Sequence, residues 1–163
     1  MTGINSSSTY QMPVATAKAH EDGDVLIINP EGPHELVMFV DDDDLITVLV
    51  QRLLTDEGYR VITARDGFQT LDIYKKLQAE VQLVILDFVM PIMNGSELFN
   101  ELRMINPHVS VLLTSGYAEH DKFTSLFTNG LRGFIQKPMN QKKFLLQVRS
   151  VLDAKDYQPA VKR

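Results

Sequence analysis

The side chains best suited to chemistry in this sequence are carboxylates that stand where apolar runs end. Leu36 to Val40 runs into Asp41-Asp42-Asp43-Asp44, and Val81 to Leu86 runs into Asp87. Carboxylates a few ångströms apart repel one another, and each raises the others' pKa unless a cation neutralises them. An all-oxygen cluster of this kind suits Mg²⁺, which keeps several waters and takes one or two protein carboxylates together with phosphate oxygens. Two later apolar runs end in Thr114-Ser115-Gly116 and Lys137-Pro138, adding hydroxyls and an ammonium. An acid cluster, a second acid, a hydroxyl and a cation at successive run ends are the equipment for phosphoryl transfer to a carboxylate.

Structural roles compete for the same residues. Asp43 or Asp44 suits the cap of the following helix, where its charge meets the positive helix end. A Ser or Thr at a strand end often caps a turn, and a Lys is often merely solvated. Capping does not account for Asp41 and Asp42, because a cap takes one residue and the run supplies more. A calcium loop of the EF-hand type fails, since the twelfth position counted from Asp41 is Arg52 instead of a bidentate Glu.

These residues need a scaffold that gathers run ends at one place. Short apolar runs at Leu36 to Val40, Tyr59 to Thr63, Val81 to Leu86, Val109 to Leu113 and Gly133 to Ile135 read as strands. Between them Asp44 to Glu57, Gly67 to Ala79, Ser96 to Ile105, Glu119 to Asn129 and Asn140 to about Ala154 read as helices, each with a start or stop signal. Five βα units with continuous apolar strands predict a doubly wound α/β fold, a five-stranded parallel sheet covered on both faces. Ligands in such sheets bind at the carboxyl ends of strands where the strand order reverses. With the order 2-1-3-4-5, the first and third strands are neighbours, and Asp41, Asp42 and Asp87 converge on one crevice.

The chain of 163 residues carries 16 Lys and Arg against 21 Asp and Glu, a net charge of −5. That size suits one domain with a single core. The acidic balance argues against non-specific binding to nucleic acid or an anionic membrane. With no cysteine, disulfide scaffolds, thiolate metal sites and thiol nucleophiles are excluded. The N-terminus lacks the basic and apolar regions of a secretory signal, which predicts a cytoplasmic protein. Residues 1–23 show no periodicity and read as a disordered tail. The short apolar segment Val25 to Ile28, isolated by Pro30 and Pro33, reads as an added strand or the end of a neighbouring domain. The expected division is therefore 1–34 for tail and short segment, 35–156 for the domain, and 157–163 for a C-terminal tail.

Four pieces in order resemble the receiver domain of two-component response regulators. They are Val40-Asp41-Asp42-Asp43, Leu86-Asp87-Phe88-Val89-Met90-Pro91-Ile92-Met93-Asn94-Gly95, Leu113-Thr114-Ser115-Gly116-Tyr117 and Phe134-Ile135-Gln136-Lys137-Pro138. The resemblance implies a flavodoxin-like fold in which Asp87 is the phosphoacceptor, loaded from a phosphohistidine on a sensor histidine kinase or phosphotransfer protein. It implies that Asp41 and Asp42 hold Mg²⁺ with Asp87 and the backbone carbonyl of Val89, and that Lys137 contacts the phosphoryl group. Pro138 resembles the family's cis-proline position. The switch hydroxyl falls to Ser115, which stands 22 positions before Lys137, with Thr114 as second choice. Phe134 matches the aromatic switch position, with a buried core Phe as the competing role.

The resemblance also admits a receiver belonging to a hybrid sensor kinase, and a phosphorylation-dependent homodimer. Leu45, Leu49 and Leu53, at i, i+4 and i+8, offer a surface to the kinase, with core packing as the alternative. The downstream partner is left open, with neither nucleic acid nor membrane expected. A Mg²⁺-dependent aspartyl-phosphate phosphatase of the haloacid dehalogenase type is the rival reading, using Asp41 and Asp43. It needs a further acidic pair after the lysine, where only Asp153 and Asp156 remain, and it gives Asp87 no role.

Overall fold

The computed structural model describes residues 16–20, 23, 25–116 and 120–155. In chain order the elements are β1 (Ala17–Ala19), β2 (Leu26–Ile28), β3 (Leu36–Val40), α1 (Asp44–Asp56), β4 (Arg60–Ala64) and α2 (Gly67–Leu77). They continue with β5 (Val81–Asp87), α3 (Gly95–Ile105), β6 (Val111–Ser115), α4 (His120–Thr128), β7 (Gly133–Gln136) and α5 (Gln141–Lys155). One sheet holds seven strands in the order β1-β2-β4-β3-β5-β6-β7, where five had been expected. From β4 to β7 every pairing is parallel, and β1 and β2 join antiparallel at the β4 edge. No described helix is long and apolar enough to cross a membrane.

The two extra strands correct the expectation of a structureless segment through Gly23, at least for Ala17–Ala19. All three residues of β1 are exposed, so they carry no apolar alternation to read. Backbone pairing to Leu26–Ile28 makes them a strand. Val25 and Ile27 are buried in the core, so the segment before Pro30 is an added strand of this same sheet. Residues 1–15 and 156–163, which hold most of the expected N-terminal tail and all of the C-terminal one, lie outside the described residues.

Every residue of β3 is buried, as an apolar run in the middle of a doubly covered sheet requires. One sheet face packs Tyr74 and Leu77 of α2, Leu98, Phe99 and Leu102 of α3, and Phe123 and Leu126 of α4. The other packs Val50 and Leu54 of α1 with Phe144, Val148 and Leu152 of α5. Helix starts follow from local chemistry. The Asp43 carboxylate accepts from the Leu45 and Ile46 N–H groups, and Asn94 with Glu97 forms a capping box for α3. Gly58 and Gly130, just after α1 and α4, take the positive φ angles of +88° and +98° that end helices without a Cβ penalty.

Candidate functional site

The sheet order reverses beside β3, with β4 on one side and β5 on the other, so the carboxyl end of β3 opens a crevice toward β5. Asp41 follows β3 and Asp87 closes β5. Their carboxylates and that of Asp42 each place an oxygen within 4.8 Å of the others. Asp41 and Asp87 are buried, at 1% and 6% exposure, whereas Asp42 faces solvent. From the end of β7, the Lys137 Nζ reaches across to the Asp41 Oδ2 at 2.8 Å and the Asp87 Oδ1 at 3.3 Å. The Lys137–Pro138 bond is cis.

Backbone donors complete the arrangement. The Asp43 N–H donates to the Asp41 Oδ1 at 2.9 Å, and the Val89 N–H donates to the Asp87 carboxylate. Asp43 itself caps α1, and Asp44 in the first turn of α1 pairs with Arg65 just after β4. The acid quartet is thus divided between two roles, its first two members facing the crevice and its last two serving the helix start.

Burial pushes the Asp87 carboxyl above its ordinary range, and the Asp41 charge adds to the rise. Lys137 and the Val89 N–H oppose it without cancelling it. Burial works against the Lys137 ammonium, yet its hydrogen bond to Asp41 and the charges of Asp87 and Asp41 leave it above the usual lysine value. Three carboxylates facing one ammonium leave the cluster with an excess of two negative charges when all are ionised. A divalent cation supplies that charge, and an all-oxygen donor set suits a hard ion rather than a thiolate-seeking one. The residues present therefore fit a bound cation.

The hydroxyl positions differ from expectation in one respect. Thr114 and Ser115 are the last two residues of β6, not a turn after it, because the strand runs two positions later than the apolar run suggested. The Val109 N–H bonds back to the Asn106 carbonyl, closing a turn over Pro107 and His108 ahead of the strand. Thr114 and Ser115 are both fully buried. Alternation puts Thr114 on the α1 and α5 face with Leu112, and Ser115 on the opposite face with Leu113. Thr114 stands in register with Asp87.

Phe134, half-buried, faces α4. Its ring stacks on Phe123 at 4.7 Å, and Phe123 meets Phe88 edge-on at 4.9 Å. Sequence reasoning missed Phe88 and Phe123, which link the residue after Asp87 to Phe134. The signal available was Phe123 on the apolar side of α4. It also missed Gly95, where an added Cβ would come within 2.7 Å of the Asp87 carbonyl oxygen and the Phe88 Cα. On α1, Leu45 and Leu49 are exposed beside the crevice, while Leu53 packs into the core.

A family model for the response regulator receiver domain matches residues 37–149. The chain is 35% identical over 120 residues to the sensor kinase CckA of Brucella abortus, an overlap of 74% of this chain and 13% of the kinase. It is 34% identical over 116 residues to the transcriptional regulatory protein CpxR of Escherichia coli K12, covering 71% of this chain and 48% of that protein. It thus spans about half of CpxR and a small part of CckA. Among solved structures, the CheX–CheY–BeF3–Mg²⁺ complex of Borrelia burgdorferi matches with a TM-score of 0.69 at 28% identity, covering 72% of this chain and 88% of that one.

Proposed function

The chain belongs to the response regulator receiver domain family, and on that premise we propose that Asp87 takes a phosphoryl group from a sensor histidine kinase or phosphotransfer protein. The observation that carries the assignment is Lys137, whose ammonium lies 2.8 Å from Asp41 and 3.3 Å from Asp87 at the mouth of one acid crevice. An Asp87 carboxylate oxygen attacks phosphorus as the bond from phosphorus to the donor imidazole nitrogen breaks, and the electron pair returns to the imidazole. Lys137 moves its charge onto the phosphoryl oxygens, and the Val89 N–H holds the carboxylate in line. Positioning and electrostatics account for such a transfer, so no separate general base is needed.

Asp41, Asp42, Asp87 and the Val89 carbonyl would hold Mg²⁺. When bound, the ion neutralises the carboxylates and the phosphoryl oxygens in transit. The Borrelia CheX–CheY complex, which holds BeF3 and Mg²⁺, supports this choice of ion. The acyl phosphate then adds charge and acceptor oxygens that draw the Ser115 hydroxyl inward. The shift opens space for Phe134 to turn against Phe123 and changes the face made by α4, β7 and α5. A full reversal from 1:99 to 99:1 needs about 5.5 kcal/mol of preference for one state. Output passes to a protein partner or a linked domain. The match to CckA favours a second setting for the same chemistry, as the receiver of a hybrid kinase. In either setting the domain is regulatory, catalysing only its own phosphorylation and dephosphorylation, in the cytoplasm.

Intact-mass measurement after incubation with acetyl phosphate and Mg²⁺ tests the assignment. A gain of about 80 Da, one phosphoryl group, that disappears in Asp87→Asn and with EDTA is expected. An adduct that survives in Asp87→Asn but is lost in Asp41→Asn would move the nucleophile to Asp41.

A further inference from the structure

Thr114 presents a hydroxyl with no counterpart in the scheme above. It is fully buried, and its Oγ1 has no hydrogen-bond partner. A hydroxyl enclosed without a partner is destabilising, and valine would fill the same space without that cost. Its placement is specific. Thr114 is the register partner of Asp87 on the neighbouring parallel strand, with Leu86 and Leu113 paired just below. In-register neighbours point to the same sheet face, so Thr114 shares a face with the acceptor, whereas Ser115 lies on the other. The carboxylate beside it has two oxygens and about four acceptor sites. Its described partners there are the Lys137 ammonium and the Val89 N–H.

We propose that Thr114 is a positioning residue for the acceptor, its hydroxyl donating to the Asp87 carboxylate when the phosphoryl group engages Lys137. The inference rests on Asp87 being the acceptor and deepens that reading by naming what sets the lifetime of the phosphorylated state. Lys137 bridges Asp41 and Asp87 and supplies the donor on that side. Once Lys137 turns to the phosphoryl oxygens, Asp87 loses that donor, and the adjacent Oγ1 is the buried group left to replace it. During hydrolysis, water attacks phosphorus, the bond from phosphorus to the Asp87 oxygen breaks, and the electron pair returns to the carboxylate. Charge therefore grows on Asp87 as it leaves, and a hydrogen bond to it is stronger in the transition state than in the acyl phosphate. Thr114 thus shortens the signal, a role separate from the Ser115 hydroxyl that reports it.

The test compares the full chain with Thr114→Val, which keeps the shape and removes the donor, and Thr114→Ser, which keeps the donor. Each is loaded with acetyl phosphate and Mg²⁺, and loss of the 80 Da adduct, one phosphoryl group, is followed by intact mass. Thermal melting is recorded beside it. Dephosphorylation about five-fold slower in Thr114→Val, with Thr114→Ser within two-fold of the parent, is the expected result. A Thr114→Val lifetime within two-fold of the parent overturns the proposal, whatever its melting temperature, because removing a merely enclosed hydroxyl changes stability alone. A Ser variant as slow as the Val variant overturns it as well. Failure of the underlying assignment looks different, since the parent protein then carries no adduct on Asp87.

Discussion

Replacing Asp87 by Asn is expected to stabilise the metal-free fold, and the size of the effect follows from the geometry of the crevice. Asp87 is almost fully buried, with oxygens of Asp41 and Asp42 within 4.8 Å and one ammonium at 3.3 Å. At an effective dielectric near 20, like unit charges at that separation repel by about 3.5 kcal/mol, and the ammonium attracts by about 5. The lysine outweighs Asp41 alone, and the exposed Asp42 is screened, so burial of the Asp87 charge carries the net cost, with Asp41 adding to it. The substitution removes that burial cost and relieves about 1 to 2 kcal/mol at neutral pH. Asn keeps a carbonyl to accept from Val89, and Lys137 keeps Asp41.

The pH dependence has a definite sign. The folded state holds the Asp87 proton more tightly than the unfolded chain does, so stability falls as pH rises from the ordinary value of 3.8 through the raised folded value. The loss persists above that window, and Asn abolishes it. Melting curves in EDTA should place Asp87→Asn about 3–8 °C above the parent at pH 7, with the gap closing toward pH 4. Saturating Mg²⁺ should reverse the order, because a ligand at a hundred times its Kd stabilises the parent by about 2.7 kcal/mol and the variant by much less. A variant that melts at or below the parent in EDTA at pH 7, or a gap unchanged at pH 4, refutes the account of an acid cluster held apart from its cation.

Three further outcomes are expected. Gly95→Ala places a Cβ 2.7 Å from backbone atoms at Asp87 and Phe88, which cannot retreat without moving Asp87. It should cost about 1–3 kcal/mol in urea denaturation and slow acetyl phosphate labelling at least ten-fold, and normal labelling would count against a tight α3 start. Glu35 and Arg149 form a bidentate pair at 2.8 and 3.0 Å that ties β3 to α5. The hydrogen bonds from Arg149 hold the Glu35 carboxyl below its ordinary 4.5. Its contribution is present above pH 4.5 and lost as pH falls through the lowered folded value, so Glu35→Gln should cost about 1 kcal/mol at pH 7 and less in acid. Ile92 is exposed and held at φ +72°, a conformation that costs a β-branched residue about 1–2 kcal/mol. Ile92→Asn should therefore raise stability by about 1 kcal/mol, and a fall in the urea midpoint would show that the exposed side chain has a packing partner.

The site was legible in the sequence to the extent that it depends on strand ends. A parallel sheet points all its strands one way, so an acid after each of two apolar runs and a lysine after the last must reach the same edge, whatever the details of packing. Asp41, Asp87 and Lys137 needed nothing more. The hydroxyls needed a strand boundary to within one residue, because a one-residue shift exchanges the faces of Thr114 and Ser115. The apolar run from Val109 gave no sign that Val109 closes a turn on Asn106 and that the strand begins only at Val111. The aromatic chain from Phe88 through Phe123 to Phe134 needed still more, since it joins a loop, a helix and a strand whose separation depends on packing angles that no local pattern carries. β1 was illegible for the opposite reason. Its residues are exposed on both faces, and the backbone hydrogen bonds that make it a strand are available to almost any residue type. Chemistry fixed by chain direction is therefore readable from spacing, whereas chemistry fixed by which face a side chain takes, as at Thr114, emerges only when register is known.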